Sequence, residues 1–118
     1  MSNHNQLWGS YGEQLSSIYL SQRGYQILAK NWRCRRQEID LIAKQQATLV
    51  LVEVKLRLTN TFGLAIDALS RHKLRQIKLA ASYALSFYQP RNWRYDFIAI
   101  DLNLSKHLAH LCHYRQIL

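Results

Sequence analysis

Seven carboxylates serve a chain of 118 residues, and three of them occupy apolar segments. Acids that only keep a protein soluble scatter over helix faces and loops. Here Glu53 interrupts the most apolar stretch, residues 48–57 (TLVLVEVKLR), and Glu38 and Asp40 sit in the segment before it. Strand side chains alternate faces with period two. Glu53 and Lys55 then share a face, with Val52, Val54 and Leu56 opposite. By the same rule Glu38 and Asp40 share a face against Ile39 and Leu41. Paired as a hairpin, the strands would set Asp40 beside Glu53. An uncompensated carboxylate there is costly, and two within ~5 Å push one pKa upward. Mg²⁺ or Mn²⁺ relieves such repulsion through hard oxygen ligands. Lys55 would project beside the cation and stabilise charge on a phosphate. The competing reading is a structural ion pair, Glu53–Lys55 or Asp40–Lys55.

The elements that must position these groups follow from periodicity. Residues 5–22 read as a helix with Leu7, Tyr11, Leu15, Ile18 and Tyr19 on its apolar face and Gly24 as its stop. Strands are expected at 25–32, 37–44 and 48–57, with Gln45-Gln46 as a turn. The unbroken apolar start of the third marks a central strand covered on both faces. Thr59 to Gly63 reads as a loop. A long helix over 65–88 follows, with Ile66, Leu69, Ile77, Ala80, Ala81, Ala84 and Leu85 as its apolar face, broken at Pro90. Strands at 94–101 and 107–115 complete the order α-β-β-β-α-β-β. This is the pattern of a single α/β domain, a mixed sheet flanked by helices. Neither a linker nor a repeat divides residues 1–118.

Sixteen Lys and Arg give a formal charge of +9 and favour a polyanionic partner. They cluster at Arg33, Arg35 and Arg36, at Lys55 and Arg57, and at Arg71, Lys73, Arg75 and Lys78, with Trp32, Trp93 and Tyr95 nearby. Phosphate contacts from such groups release counterions. No apolar run reaches the roughly 18 residues of a membrane span. The polar start lacks a signal-peptide core, and Cys34 and Cys112 form no CxxC pair. Two reduced thiols in a cytoplasmic protein are expected.

Asp40, then twelve residues, then Glu53-Val54-Lys55 resembles the PD-(D/E)xK nuclease pattern. Its context is Gly12-Glu13, residues 38–43 (EIDLIA), residues 52–57 (VEVKLR), Phe62-Gly63 and Lys73. Together these resemble the YraN-like family of small bacterial proteins over about Trp8 to Asp101. That family is in turn similar to archaeal Holliday-junction resolvases. The resemblance implies a restriction-endonuclease-like core and metal-dependent hydrolysis of phosphodiesters. It implies Asp40, Glu53 and Glu13 as acids at a Mg²⁺ or Mn²⁺ ion, and Lys55 as the catalytic lysine. Glu38 would support these acids from behind them or act structurally. Arg57, Lys73, Arg35 and Arg36 are the candidate phosphate contacts. Gln37 stands where the family pattern would have Gly. Cleavage of branched or single-stranded DNA, favoured over RNA, comes with the resolvase analogy, as does a homodimer.

The alternative is a binding protein that keeps the fold and uses its acids structurally. Three carboxylates would weaken its hold on a polyanion, which favours the enzyme. No GxxxxGK[ST] or GxGxxG loop occurs, and Ser16 and Ser17 lack a triad pattern. His107, His110 and His113 are expected along a solvated strand edge. Asp96 and Asp101 end a strand without a partnering motif, and Asp67 reads as a helix N-terminal charge.

Overall fold

A computed structural model describes residues 4–58 and 69–118. Helix α1 (His4–Gln22) leads into strands β1 (Gln26–Cys34), β2 (Gln37–Gln45) and β3 (Thr48–Leu58). Helix α2 (Arg71–Tyr88) and strands β4 (Asn92–Asn103) and β5 (Leu108–Tyr114) follow. The five strands form one sheet in the order β1-β2-β3-β4-β5. Only β3 and β4 run parallel; the other neighbours are antiparallel. The expected element order and mixed sheet are therefore present.

Helix α1 ends as expected at Gly24, whose φ is +86°. The Tyr25 N–H donates to Leu20 O and the Gly24 N–H to Ser21 O, the two bonds of a Schellman motif. The buried face of α1 is the expected one only in part: Leu15 and Tyr19 pack against the core. Leu7, Tyr11 and Ile18 are exposed, whereas Gly12, Ser16, Ser17 and Leu20 are buried. Close approach decides this. A Cβ at Gly12 would lie 3.1 Å from Leu56 Cβ, so the missing side chain lets the helix settle onto β3.

Helix α2 starts at Arg71 rather than 65. Ser70 caps it, its hydroxyl accepting from the Lys73 N–H. Residues 65–68, with the expected contributions of Ile66 and Asp67, lie outside the described residues, as does the expected loop from Thr59 to Gly63. The helix ends at Gln89, in the left-handed conformation, just before Pro90. The β2–β3 turn falls on Gln46-Ala47, one residue beyond the expected position.

β3 is covered on both faces, as expected. Val50 and Val52 pack with Leu20, Leu41, Ile98 and Ile100 under α1. Leu49 and Leu51 pack with Ile42, Tyr95 and Ile77 under α2. The alternation changes phase in one place. Ile39 joins the α2 cluster while Leu41 joins the α1 cluster, so these two do not share a face as expected. Asn31, which lies between the pairs Trp32–Ile39 and Lys30–Leu41, has φ 50° and kinks β1 beside this point. Asp40 stands at the phase change.

Candidate active site

The β2–β3 ladder runs from Gln45–Thr48 to Leu41–Val52 and stops one pair short of Asp40 and Glu53. There the Asp40 carboxylate replaces a strand contact: its Oδ2 accepts from the Val54 N–H at 2.7 Å. The expected juxtaposition of Asp40 and Glu53 on neighbouring strands is present. Burial, followed by the charge of Glu53, pushes the Asp40 carboxyl up to about 8, against the bond from Val54. Glu13 adds to this effect from α1. Its own carboxyl is raised, first by burial and then by Glu38 and Glu53, while a bond to Asn31 opposes the rise. Gly12 brings this turn of α1 against Val54 and Leu56, and so carries Glu13 to the acids.

The cation nearest these acids is Lys73, not Lys55. Lys73 Nζ lies 2.8 Å from Glu53 Oε2. Burial works against this ammonium, but its bond to Glu53 and the charges of Glu53, Asp40 and Glu38 outweigh burial and raise its pKa. Lys73 is thus tied to an acid rather than free for a phosphate as expected, and it replaces the expected Glu53–Lys55 and Asp40–Lys55 pairs. Their strand spacing holds Lys55 on the face of Glu53, but the long Lys73 side chain reaches down from the first turn of α2. Lys55 is exposed and makes no ion pair among the described residues.

Glu53 and Lys73 line two clefts. One, of about 150 Å³, also contains Arg36, Gln37, Glu38 and Gln76. The other, of about 220 Å³, contains Lys55, Leu69 and Phe97. Arg36 thereby comes to the acids, and Gln37 does so without a positive φ, so the fold does not need glycine there. Arg35 has φ 57° in the β1–β2 turn and lies over the Tyr83 ring at 5.7 Å. Glu38 is exposed at the rim, 3.7 Å from Arg33. Arg57 does not join the site: its Nε bonds Asp101 Oδ1 at 3.0 Å, its partner across the parallel β3–β4 register. This corrects the expected isolation of Asp101.

Tyr95 escaped the search for site residues. It is buried, its hydroxyl has no hydrogen-bond partner among the described residues, and burial together with Glu53 and Asp40 holds its pKa up. Only the β3–β4 register, which sets Tyr95 beside Leu51, brings it under the acids. No local signal marks it in the sequence.

A second polar cluster lies on the α1 side and corrects two more expectations. Asp96, fully buried, accepts from Arg94 Nε at 3.0 and 3.1 Å and from the Gln116 N–H at 3.0 Å. Its other partner is His113 Nε2 at 2.7 Å. Burial raises the Asp96 pKa, but His113, Arg94 and the Gln116 N–H outweigh burial and hold it below the usual value. An ionised Asp96 only accepts, so Nε2 carries a proton, and Nδ1 lies 3.1 Å from the Tyr19 hydroxyl. His113 is therefore a buried network residue, not part of a solvated edge.

The chemistry of the acids suits a cation. Asp40 and Glu53 are hard oxygen donors with raised electrostatic cost, and Tyr95 leaves an orphan hydroxyl beside them, able to bond a water. Mg²⁺ is commonly held by one or two carboxylates with several waters. Among the described residues no group of three His, Cys, Asp or Glu side chains is arranged to hold a metal, so waters would complete the set. Cys34 and Cys112 are free thiols. Among the described residues no helix is long and apolar enough to cross a membrane.

A family profile described as "Uncharacterised protein family UPF0102" matches residues 12–100, the span that carries every acid of this site. A UPF0102 protein of Caldanaerobacter subterraneus subsp. tengcongensis is 45% identical, over 83% of this chain and 82% of the relative. One from Chlorobium chlorochromatii is 45% identical over 80% and 74%. One from Herpetosiphon aurantiacus is 39% identical over 99% and 98%.

Proposed function

The chain belongs to the uncharacterised protein family UPF0102, and from the geometry of its acids we propose that it is a metal-dependent nuclease. The observation that carries the proposal is the Asp40–Glu53 pair, with Asp40 buried and held near 8 while Glu53 opens into two basic-rimmed clefts. A purely structural acid gains nothing from such a place. Acids on neighbouring strands of a mixed sheet, with a lysine two residues beyond the second, also agree with a restriction-endonuclease-like core. The resolvase resemblance extends the substrate to branched or single-stranded DNA in preference to RNA, with a homodimer for paired cuts.

Asp40 and Glu53, with Glu13 behind them, would hold Mg²⁺ or Mn²⁺. Such an ion, when bound there, would supply Lewis acidity toward a phosphoryl oxygen and a water. The protein's own groups divide the remaining work. Lys55 offers its exposed ammonium to charge developing on the phosphate. Arg36 holds the backbone from the other cleft. The Tyr95 hydroxyl orients a water beside the acids. Lys73 neutralises Glu53 before the ion arrives.

That same 2.8 Å Lys73–Glu53 pair favours a second reading, a binding protein whose acids are already satisfied. Cleavage assays separate the two. Duplex, single-stranded, flap and four-way-junction DNA are incubated with Mg²⁺, with Mn²⁺ and with chelator. Metal-dependent cutting is expected, abolished in Glu53→Ala and reduced about 100-fold or more in Lys55→Ala. Binding without cutting on every substrate refutes the nuclease.

A further inference from the structure

We propose that the outer face of β1 and α2 is a stacking platform for unpaired nucleotides. It deepens the nuclease reading, since it leads a single strand or frayed end toward the acids. Trp32 on β1 meets Phe87 and Tyr88 at the end of α2, with ring centroids 6.2 and 6.3 Å away. Phe87 and Tyr88 pack edge to face at 5.0 Å. This cluster is not simply core, because Phe87 is 70% exposed. An apolar ring so placed is unfavourable in water unless something covers it.

The surroundings identify the occupant by charge. Arg35 is exposed in the turn after β1. Its Cζ lies over the Tyr83 ring, 5.7 Å from the centroid and one helical turn before Phe87. Arg36 continues the row into the cleft of Glu53 and Lys73. Aromatic faces interleaved with guanidinium groups suit bases and phosphates of a single strand. A hydrophobic protein partner would be opposed by these charges. From Lys73 to Phe87 the helix rises about 21 Å, room for several nucleotides between the platform and the acids. A duplex keeps its bases stacked on one another and cannot use the rings. A single strand can.

The test measures binding, in chelator, so it does not depend on cleavage. Labelled oligo(dT) and a blunt duplex of equal length are titrated by fluorescence anisotropy. Oligo(dT) is expected to bind more tightly. Phe87→Ala and Phe87→Leu are each expected to weaken that binding roughly 5-fold or more while leaving the duplex unchanged. Leucine preserves apolar area, so its failure to rescue identifies stacking. Arg35→Ala is expected to lower the salt dependence of binding. Circular dichroism confirms that the variants fold, as the exposure of both positions predicts. Equal binding of oligo(dT) by wild type and both Phe87 variants overturns the proposal. So does self-association of the wild type that Phe87→Ala abolishes, which would make the patch an interface between copies. Platform-dependent binding without any cutting by the wild type would retain this inference and remove the nuclease reading.

Discussion

Replacing Asp40 by Asn tests the electrostatics at the heart of the site. The Asn carbonyl still accepts the Val54 N–H, and the shape is nearly unchanged, so the variant removes mainly the titration. Folding raises the Asp40 pKa from 3.8 to about 8. Between those values the folded protein keeps a proton that the unfolded chain has lost, so stability falls as pH rises. Below the lower value both states are protonated and there is no penalty. Each pH unit inside the window is worth about 1.4 kcal/mol, so the penalty grows by up to about 4 kcal/mol between pH 5 and pH 8. That is a large share of the roughly 5–15 kcal/mol that holds a domain together. Urea unfolding at pH 5 and pH 8 gives the readout. Wild type should lose stability across this interval more steeply than Asp40→Asn, and the variant should be the more stable protein at pH 8. Saturating Mg²⁺ at pH 8 should then stabilise wild type, by about 2.7 kcal/mol at a hundred times the Kd, and leave the variant unmoved. Parallel pH profiles for the two proteins would refute the reasoning about burial and Glu53.

Two further substitutions probe the scaffold. Asp96→Ala strands Arg94 without its carboxylate in a buried place and is expected to cost about 3–5 kcal/mol, read as a lowered urea midpoint. Because the folded Asp96 pKa is depressed, the stability it contributes is present above the unfolded value and is lost as pH falls through the folded one. Asp96→Ala should therefore lose sensitivity to acid as well. Gly12→Val forces a branched side chain against Leu56 and Val54 and should cost about 1–3 kcal/mol in thermal unfolding. It should also move Glu13 away from the other acids, and so lower the pH at which Asp40 titrates.

Local chemistry was enough for several features. Period-two alternation placed Glu53 and Lys55 on one face, and the apolar run around Glu53 marked a strand covered on both sides. Gly24 showed where α1 stops, because only a residue tolerant of positive φ closes a helix there cheaply. A hairpin put Asp40 and Glu53 on neighbouring strands, but their direct opposition came from the turn at Gln46-Ala47, one residue beyond the expected one. Everything that depended on contacts between distant segments was decided by packing. Lys73 took Glu53 because the first turn of α2 packs on the same face of the sheet, and Arg57 took Asp101 because β4 runs parallel beside β3. Arg94 stands two residues from Asp96 on β4, but the other partners of Asp96 come from β5 and the segment after it, which no spacing along the chain connects to Asp96. The alternation on which the faces of Ile39 and Leu41 were judged changes phase at Asp40, opposite Asn31 with its positive φ. Periodicity describes one strand or helix at a time. The charge balance of the site belongs to the way five of them meet, and burial, which moves the Asp40 carboxyl to about 8, exists only in the folded whole.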